Sequence, residues 1–403
     1  MKLLIVLLVV LTVTVISAKP ESRFLKFKTT ADRVAAHGYP VEKHTVQTGD
    51  GYILQLFRIP FSKKLKNQNT PHKPVIFLQH GLLSSSDCWI LNGPENALAF
   101  LLADAGYDVW MGNARGNTYS KKNTSKTPLL PSFWNFSWNE IAIYDLPAMI
   151  DYILYITNEK ALHYVGHSQG TTIFMVLLSS YPSYNAKIKT SHMLAPVGYM
   201  SHMQSPLAGI VSPVLGKPSL LGDLIGKTEF MPSNKLLSLL GSQACADKSF
   251  FQPVCSNILF LIAGWDSQHL NETLLPEVME THPAGSSTAQ IIHFLQEFES
   301  GYFRQYDHGF FSNKKYYKQR SPPEYNAQNI KPQVPVQFYY SDNDYMAAVE
   351  DVLRMADRLR SNVVLYHVEY SDWNHLDFLW ATNVKPIIND RIIKLANEFE
   401  KKN

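Results

Sequence analysis

The stretch ALHYVGHSQGTTIFMVLLSS, residues 161–180, decides how the rest of the chain is read. Its first part, ALHYVGH (161–167), is an apolar run with the length of a buried strand, and its last part, QGTTIFMVLLSS (169–180), has the length of a helix. Between them Gly166-His167-Ser168-Gln169-Gly170 fits the pattern G-x-S-x-G. The glycines flank a turn too tight for side chains, and the serine stands above the sheet edge with its hydroxyl exposed. The helix starting at Gln169 aims its positive end at the place where an attacked carbonyl gains negative charge. Ser168 is therefore the candidate nucleophile.

The segments on either side repeat the strand–helix theme. Upstream, Gly49-Asp50-Gly51 lies between two alternating runs and reads as a hairpin turn. VIFLQHG (75–81) is a continuous apolar run, suited to a strand buried on both faces. ALAFLLADAG (97–106) reads as a helix, YDVWMGN (107–113) as a strand, and EIAIYDLPAMIDYILYI (140–156) as a helix with Pro147 as an irregularity. IKTSHMLAPV (188–197) follows as a strand. From about residue 199 to 333 the regularity gives way to a stretch rich in Met, Leu, Pro, Gly and Ser. That stretch reads as mostly helical, with NILFLIAG (257–264) as a strand-length run inside it. Alternation resumes with VPVQFYYS (334–341), a helix over 345–360, VVLYHVEY (363–370) and the closing helix KPIINDRIIKLANEFEKK.

Repeated strand–helix units imply a mostly parallel sheet covered on both faces. With the serine elbow at a strand end, the expected architecture is the α/β-hydrolase fold with an inserted, mainly helical cap. The catalytic sheet domain is expected over 19–198 and 334–403, interrupted by a cap and lid over 199–333.

A serine hydroxyl needs a base, and the base needs an orienting carboxylate. In this fold they follow in the order serine, acid, histidine. Ser341-Asp342-Asn343-Asp344 follows VPVQFYY, and Ser371-Asp372-Trp373-Asn374-His375 follows VVLYHVEY. The 31 residues from Asp344 to His375 suffice for one helix and one strand, which returns both side chains to the edge that carries Ser168. His163, His192 and His367 fall in or beside strands, and His269, His282, His293 and His308 fall in the cap, so His375 is the favoured base. Asp344 is favoured as the acid, with Asp342 as its competitor two residues earlier. The oxyanion donors are expected to be the backbone amides of Gln169 and of Leu82, which follows Gly81. This chemistry needs neither cofactor nor metal; the chain has no G-x-G-x-x-G or P-loop, and its histidines lack zinc-site spacing.

The chain has 403 residues, 45% hydrophobic and 12% aromatic, enough for a large packed core. Its formal net charge is +3 without a long basic block, which argues against nucleic acid as a partner. Residues 1–18, MKLLIVLLVVLTVTVISA, have the basic start, short apolar run and small-residue end of a signal peptide. The apolar run is short for a bilayer span, and no other segment looks like one. Export fits the three sequons at Asn123, Asn135 and Asn271. Of the three cysteines, Cys245 and Cys255 close a short loop and are the favoured pair, leaving Cys88 as a buried thiol.

Several blocks together resemble the acid lipase family of animals, which includes gastric, lingual and lysosomal acid lipases. They are LQHGLLSSSDCW (78–89), LADAGYDVWMGNARGNTYS (102–120), FSWNEIAIYDLPAMIDYIL (136–154), YVGHSQGTT (164–172), LAPVGY (194–199), CSNILFLIAGWD (255–266) and WNHLDFLWA (373–381). The resemblance implies hydrolysis of triacylglycerols or cholesteryl esters at an oil–water or membrane interface, with an acidic optimum. It puts nucleophile, acid and base on Ser168, Asp344 and His375, and the oxyanion donors on Leu82 and Gln169. It also implies a mobile lid within the cap and a cap disulfide resembling a Cys245–Cys255 pair, while a further family cysteine is replaced by Ala263. NARGN (113–117) has the form of insect members, often gut lipases, so secretion is the expected fate and the lysosome its alternative. One departure matters: the family has a glycine-rich run before its acid, whereas this chain has Asp342, expected to raise the pKa of its neighbour or of the base.

Competing readings are an esterase for small soluble esters under a fixed cap, an amidase or peptidase, and an inactive hydrolase fold that carries lipid. Nothing in the sequence demands an oligomer.

Overall fold

The computed structural model describes residues 28–232, 264 and 268–402. The signal-peptide reading, Cys245, Cys255 and nearly all of the 257–264 run lie outside the described residues.

Two kinds of strand make the main sheet. Glu42–Gln47 (β1) alternates between half-buried and exposed positions and pairs antiparallel with Tyr52–Ile59 (β2). The connecting turn needs its glycine: Gly51 has φ +91°, and an added Cβ would meet Thr124 Oγ1 at 2.6 Å. By contrast, Val75–Gln79 (β3), Asp108–Met111 (β4) and Leu162–His167 (β5) are buried at every position, as their unbroken apolar runs require. Ile188–Leu194 (β6) and Val336–Tyr340 (β7) continue the buried centre, and Val363–His367 (β8) forms a largely exposed edge. The spatial order is β1-β2-β4-β3-β5-β6-β7-β8. β2 is antiparallel to β1 and β4, and the other neighbours in this order run parallel. The C-terminal ends of β3, β5 and β7 therefore lie along one edge, where the functional loops begin.

Helices cover this sheet. Leu98–Asp104 (α1) precedes β4, and Leu146–Thr157 (α2) precedes β5. Pro147 is accommodated because Ile141–Asp145 winds as a π-turn, which places the proline in the first turn of α2, where no N–H is needed. Gln169–Ser180 (α3) buries every residue from Gln169 to Ser179, which explains its nearly continuous apolar sequence. Between 199 and 333 the described elements are mainly helical: Pro206–Leu215 (α4), Leu220–Ile225 (α5), Leu275–Thr281, Thr288–Ser300 (α6) and Phe310–Tyr317 (α7). Val349–Leu359 (α8) then connects β7 to β8, and Asp390–Lys402 (α9) ends the described chain.

A buried ionic hub ties the N-terminal strands to the region before α2. Arg115, 1% exposed, donates to Asp145 through Nε at 2.7 Å and to Asp50 through Nη1 and Nη2 at 2.6 and 2.8 Å. Its guanidinium also stacks 4.0 Å from the Tyr52 ring.

Candidate active site

The elbow is built by close backbone contacts. Ser168 is forced to φ +54° and ψ −122° between β5 and α3. A Cβ on Gly170 would lie 2.3 Å from the Gln79 carbonyl oxygen, and one on Gly166 would lie 2.8 Å from the Gly170 carbonyl. Both positions exclude any larger residue, so the two glycines of the motif serve α3 packing against β3 and β5. The Ser168 amide donates to the Leu194 carbonyl at 3.0 Å, and Thr171 Oγ1 donates to the Ser168 carbonyl at 2.6 Å. Strain of this kind persists because its surroundings over-determine it.

His375 and Asp344 meet in the loop that touches the elbow through His167. His375 Nδ1 donates to Asp344 Oδ1 at 2.9 Å and Oδ2 at 2.8 Å, which leaves Nε2 as the acceptor nitrogen. Asp344 is buried and also accepts the amides of Met346 at 2.9 Å and Ala347 at 2.8 Å, so its carboxylate is fixed from two directions. The loop around His375 is braced by its neighbours: the Asn374 amide donates to Asp377 Oδ2 at 2.7 Å, and the Leu376 amide donates to Asn374 Oδ1 at 2.9 Å. On the elbow side, His167 Nε2 donates to the His375 carbonyl at 2.9 Å. This brings the residue preceding Ser168 into direct contact with the residue proposed as base.

The loop after β3 lies against Ser168; a Cβ on Gly81 would be 2.9 Å from the Ser168 Cβ. His80 fixes that loop. Its Nδ1 donates to the Gly81 carbonyl at 2.7 Å, and its Nε2 accepts the Ala114 amide at 3.1 Å. Burial lowers the His80 pKa to about 4, so the ring stays neutral and this tautomer is the one that satisfies both contacts. The loop is held from above as well, by the Ala284 amide donating to the Leu83 carbonyl at 2.7 Å and by Ser84 Oγ against His282 Nε2 at 2.8 Å. Among the described residues no acceptor takes the amide hydrogen of Leu82 or of Gln169. The Gln169 side chain is buried and donates through Nε2 to Gln290 Oε1 on α6 at 2.8 Å, joining the elbow to the helices above it.

The combination of a strained serine elbow, a carboxylate-bound histidine and two unclaimed amides can carry acyl transfer. Comparison with known proteins gives it a lineage. The sequence pattern of the α/β hydrolase fold matches residues 74–382, and that of the partial α/β-hydrolase lipase region matches residues 30–93. Lipase 3 of Drosophila melanogaster is 45% identical over 92% of this chain and 93% of its own. The chain belongs to the lipase family of α/β-hydrolases. Human gastric triacylglycerol lipase is 41% identical to this α/β-hydrolase over 90% of the chain and 89% of its own length. Among solved structures, a candidate lipase from Sulfolobus solfataricus shares the fold at 13% identity, covering 89% of this chain and 99% of its own with a TM-score of 0.58.

The remaining residues singled out in the sequence sort by position in this hydrolase. Asp342 is 55% exposed and accepts from His367 Nε2 at 2.9 Å, turned to the β8 edge, while Asp344 takes the histidine. His163 and His192 are buried and bonded within the sheet, to Thr190 Oγ1 at 2.7 Å and to the Tyr339 hydroxyl at 3.0 Å. In the 199–333 region, His269 meets Asp372 at 3.1 Å, His293 stacks on Trp138 at 3.7 Å and His308 stacks on Tyr316 at 4.4 Å. Cys88 is a buried free thiol whose pKa burial pushes up, which makes it inert as a nucleophile. Asn135 is exposed, whereas Asn123 and Asn271 are half-buried and hydrogen-bonded to neighbours. No helix among the described residues is long and apolar enough to cross a membrane, and no group of three metal-ligating side chains occurs among them.

Sequence reasoning missed His167, His80, Asn374, Asp377 and Gln290 as supporting residues. The signal available was weak: His167, His80, Asn374 and Asp377 lie next to or near motif residues without a pattern of their own, and Gln290 lies 121 residues from its partner Gln169.

Proposed function

We propose that this chain is a serine lipase that cleaves lipid esters, triacylglycerols or cholesteryl esters, through an acyl-enzyme on Ser168. The observation that carries the reading is the bidentate hold of Asp344 on His375 Nδ1 beside the strained Ser168 elbow. In this reading His375 Nε2 takes the Ser168 proton as Oγ attacks the ester carbonyl. The tetrahedral oxyanion accepts from the Leu82 and Gln169 amides. His375 then protonates the leaving alcohol, and the same nitrogen deprotonates the water that releases the fatty acid. Asp344 keeps Nδ1 protonated and balances the imidazolium. Each oxyanion donor contributes about 3 kcal/mol to transition-state stabilisation. No cofactor takes part.

The same reading assigns residues 199–333 to a cap and lid over the site, with the sheet domain over 19–198 and 334–403. It assigns residues 1–18 to a cleaved signal peptide, Cys245 and Cys255 to a disulfide, and the protein to secretion, with the lysosome as the second destination. Asn135 is the sequon best exposed for glycosylation.

The test is the rate on emulsified long-chain triacylglycerol below and above its solubility limit. It is measured from about pH 4 to about pH 8, the range in which carboxylates and imidazoles titrate. The S168A protein serves as the blank. A rise in rate when the emulsion forms, with an acidic maximum, is expected. Turnover confined to soluble short-chain esters would overturn the lipase assignment and favour an esterase.

A further inference from the structure

The segment Phe310–Arg320, FFSNKKYYKQR, takes no part in the chemistry above. α7 occupies its first eight residues and turns aromatic rings outward: Phe311 is 84% exposed, Tyr316 60% and Phe310 46%. Lys314, Lys315, Lys318 and Arg320 are exposed among them. Among the described residues no carboxylate lies within ion-pairing distance of any of these four cations. The nearby Asp307 is committed to Arg304 at 3.3 Å. Lys314 and Arg320 sit 5.4 and 5.0 Å from the Phe310 ring centre, so charge and aromatic surface form one interleaved face.

That face is held rigidly. Asn313 is buried inside it, accepting the His308 amide at 3.0 Å and donating to Asp307 Oδ1 at 2.8 Å and to the Arg320 carbonyl at 2.9 Å. The Tyr317 hydroxyl donates to the Tyr306 carbonyl at 2.8 Å. A Cβ on Gly309 would lie 3.4 Å from the Pro218 Cβ, so the start of α7 abuts the connection between α4 and α5. Those two helices expose Ile210, Val214 and Leu224 in turn. The loop 301–309 links α7 to α6, the helix whose Gln290 bonds Gln169.

Exposed aromatic rings cost free energy in water unless something covers them. A soluble polyanion would neutralise the cations and leave Phe311 wet. A lipid surface with anionic headgroups satisfies both, since rings enter the headgroup boundary while Lys and Arg meet negative charge. We propose that the Phe310–Arg320 face docks this protein on an anionic lipid surface. The proposal deepens the lipase reading and rests on it for its purpose, but the docking itself requires no catalysis.

Co-sedimentation of the full chain with vesicles tests it, using phosphatidylcholine alone and phosphatidylcholine mixed with phosphatidylglycerol. The parent is expected to bind the mixed vesicles and to be released by salt. K314E/K315E/K318E/R320E is expected to lose binding by at least fivefold per cation, the equivalent of about 1 kcal/mol each. F310S/F311S is expected to weaken binding while keeping its salt dependence. Unchanged turnover of a soluble short-chain ester by both variants verifies their folding, and equal docking by S168A separates the surface from the reaction. Mixed-vesicle binding by the four-charge variant equal to the parent's would overturn the proposal, as would a parent that does not distinguish the two vesicles. Absence of emulsion hydrolysis with docking intact would sink the lipase reading alone.

Discussion

His167 Nε2 donates to the backbone carbonyl of His375 at 2.9 Å, with the two rings 4.9 Å apart. The residue before Ser168 thus holds the loop that carries the proposed base, His375. Burial pushes the His167 pKa well below the ordinary imidazole value, with His375 adding a smaller push in the same direction, so His167 acts as a neutral donor. H167A is expected to lower kcat by about 10- to 100-fold, the scale of a small misplacement of a reacting group, with little change in KM. H167Q, which keeps a donor, is expected to recover part of it. Steady-state kinetics on a soluble ester checks this, and a parental kcat in H167A would remove His167 from the site.

The two aspartates after β7 separate in the same assay. Asp344 faces His375, and Asp342 faces His367 on the surface. D344N should lose on the order of 10⁴ in kcat, as a wrong tautomer does in such triads. D342N should match the parent in rate and in pH profile. A shifted profile in D342N would restore Asp342 to the electrostatics of the base.

Replacing Arg115 by methionine leaves Asp50 and Asp145 without their shared cation, Asp145 being fully buried. Breaking one side of a buried ion pair costs about 3–5 kcal/mol. Denaturant unfolding of R115M should show a loss of this size, and a loss below about 1 kcal/mol would mean that the hub relaxes or hydrates.

Glu297 on α6 is buried, and among the described residues its Oε2 has no hydrogen-bond partner. Burial raises its pKa well above the ordinary glutamate value. Its contribution to stability is therefore present below the unfolded-state value and is lost as pH rises through the folded-state value. His80 and His282, lowered by burial to about 4, and His192 and His293, lowered to about 3, act oppositely. Their stabilisation is complete above the unfolded imidazole value near 6.5 and is lost as pH falls toward those folded values. E297Q should accordingly raise Tm at neutral pH, by about 1 °C for a gain on the order of 1 kcal/mol. The difference should shrink to nothing as pH falls below the ordinary glutamate value of about 4.3, where the parent carboxyl becomes protonated in both states. A Tm gain independent of pH would assign the effect to packing instead of ionisation.

The strands and helices around Ser168 were legible because their causes are local. A G-x-S-x-G elbow is set by contacts within five residues and the strand beneath them, and α3 begins and ends where its sequence indicates. Burial on both faces made β3, β4 and β5 readable as unbroken apolar runs. Pro147 reads as a defect in a helix over 140–156, and the π-turn at Ile141–Asp145 places it in a first turn instead.

The sequence by itself determined the turn at Ser168, the chain order of the candidate acid and base, and the alternation that builds the sheet, because each depends on neighbours in the chain. The sequence favours Asp344 over Asp342 without giving either a direction; the tertiary structure sets Asp344 against His375 and Asp342 against His367, since that turn leaves the strand and its direction is set by the amides of Met346 and Ala347 and by His375. The tertiary structure alone assigned work to His167, whose partner is 208 residues away. A buried histidine can be a filler or a donor with the same sequence around it, and only the groups packed against it in three dimensions distinguish the two.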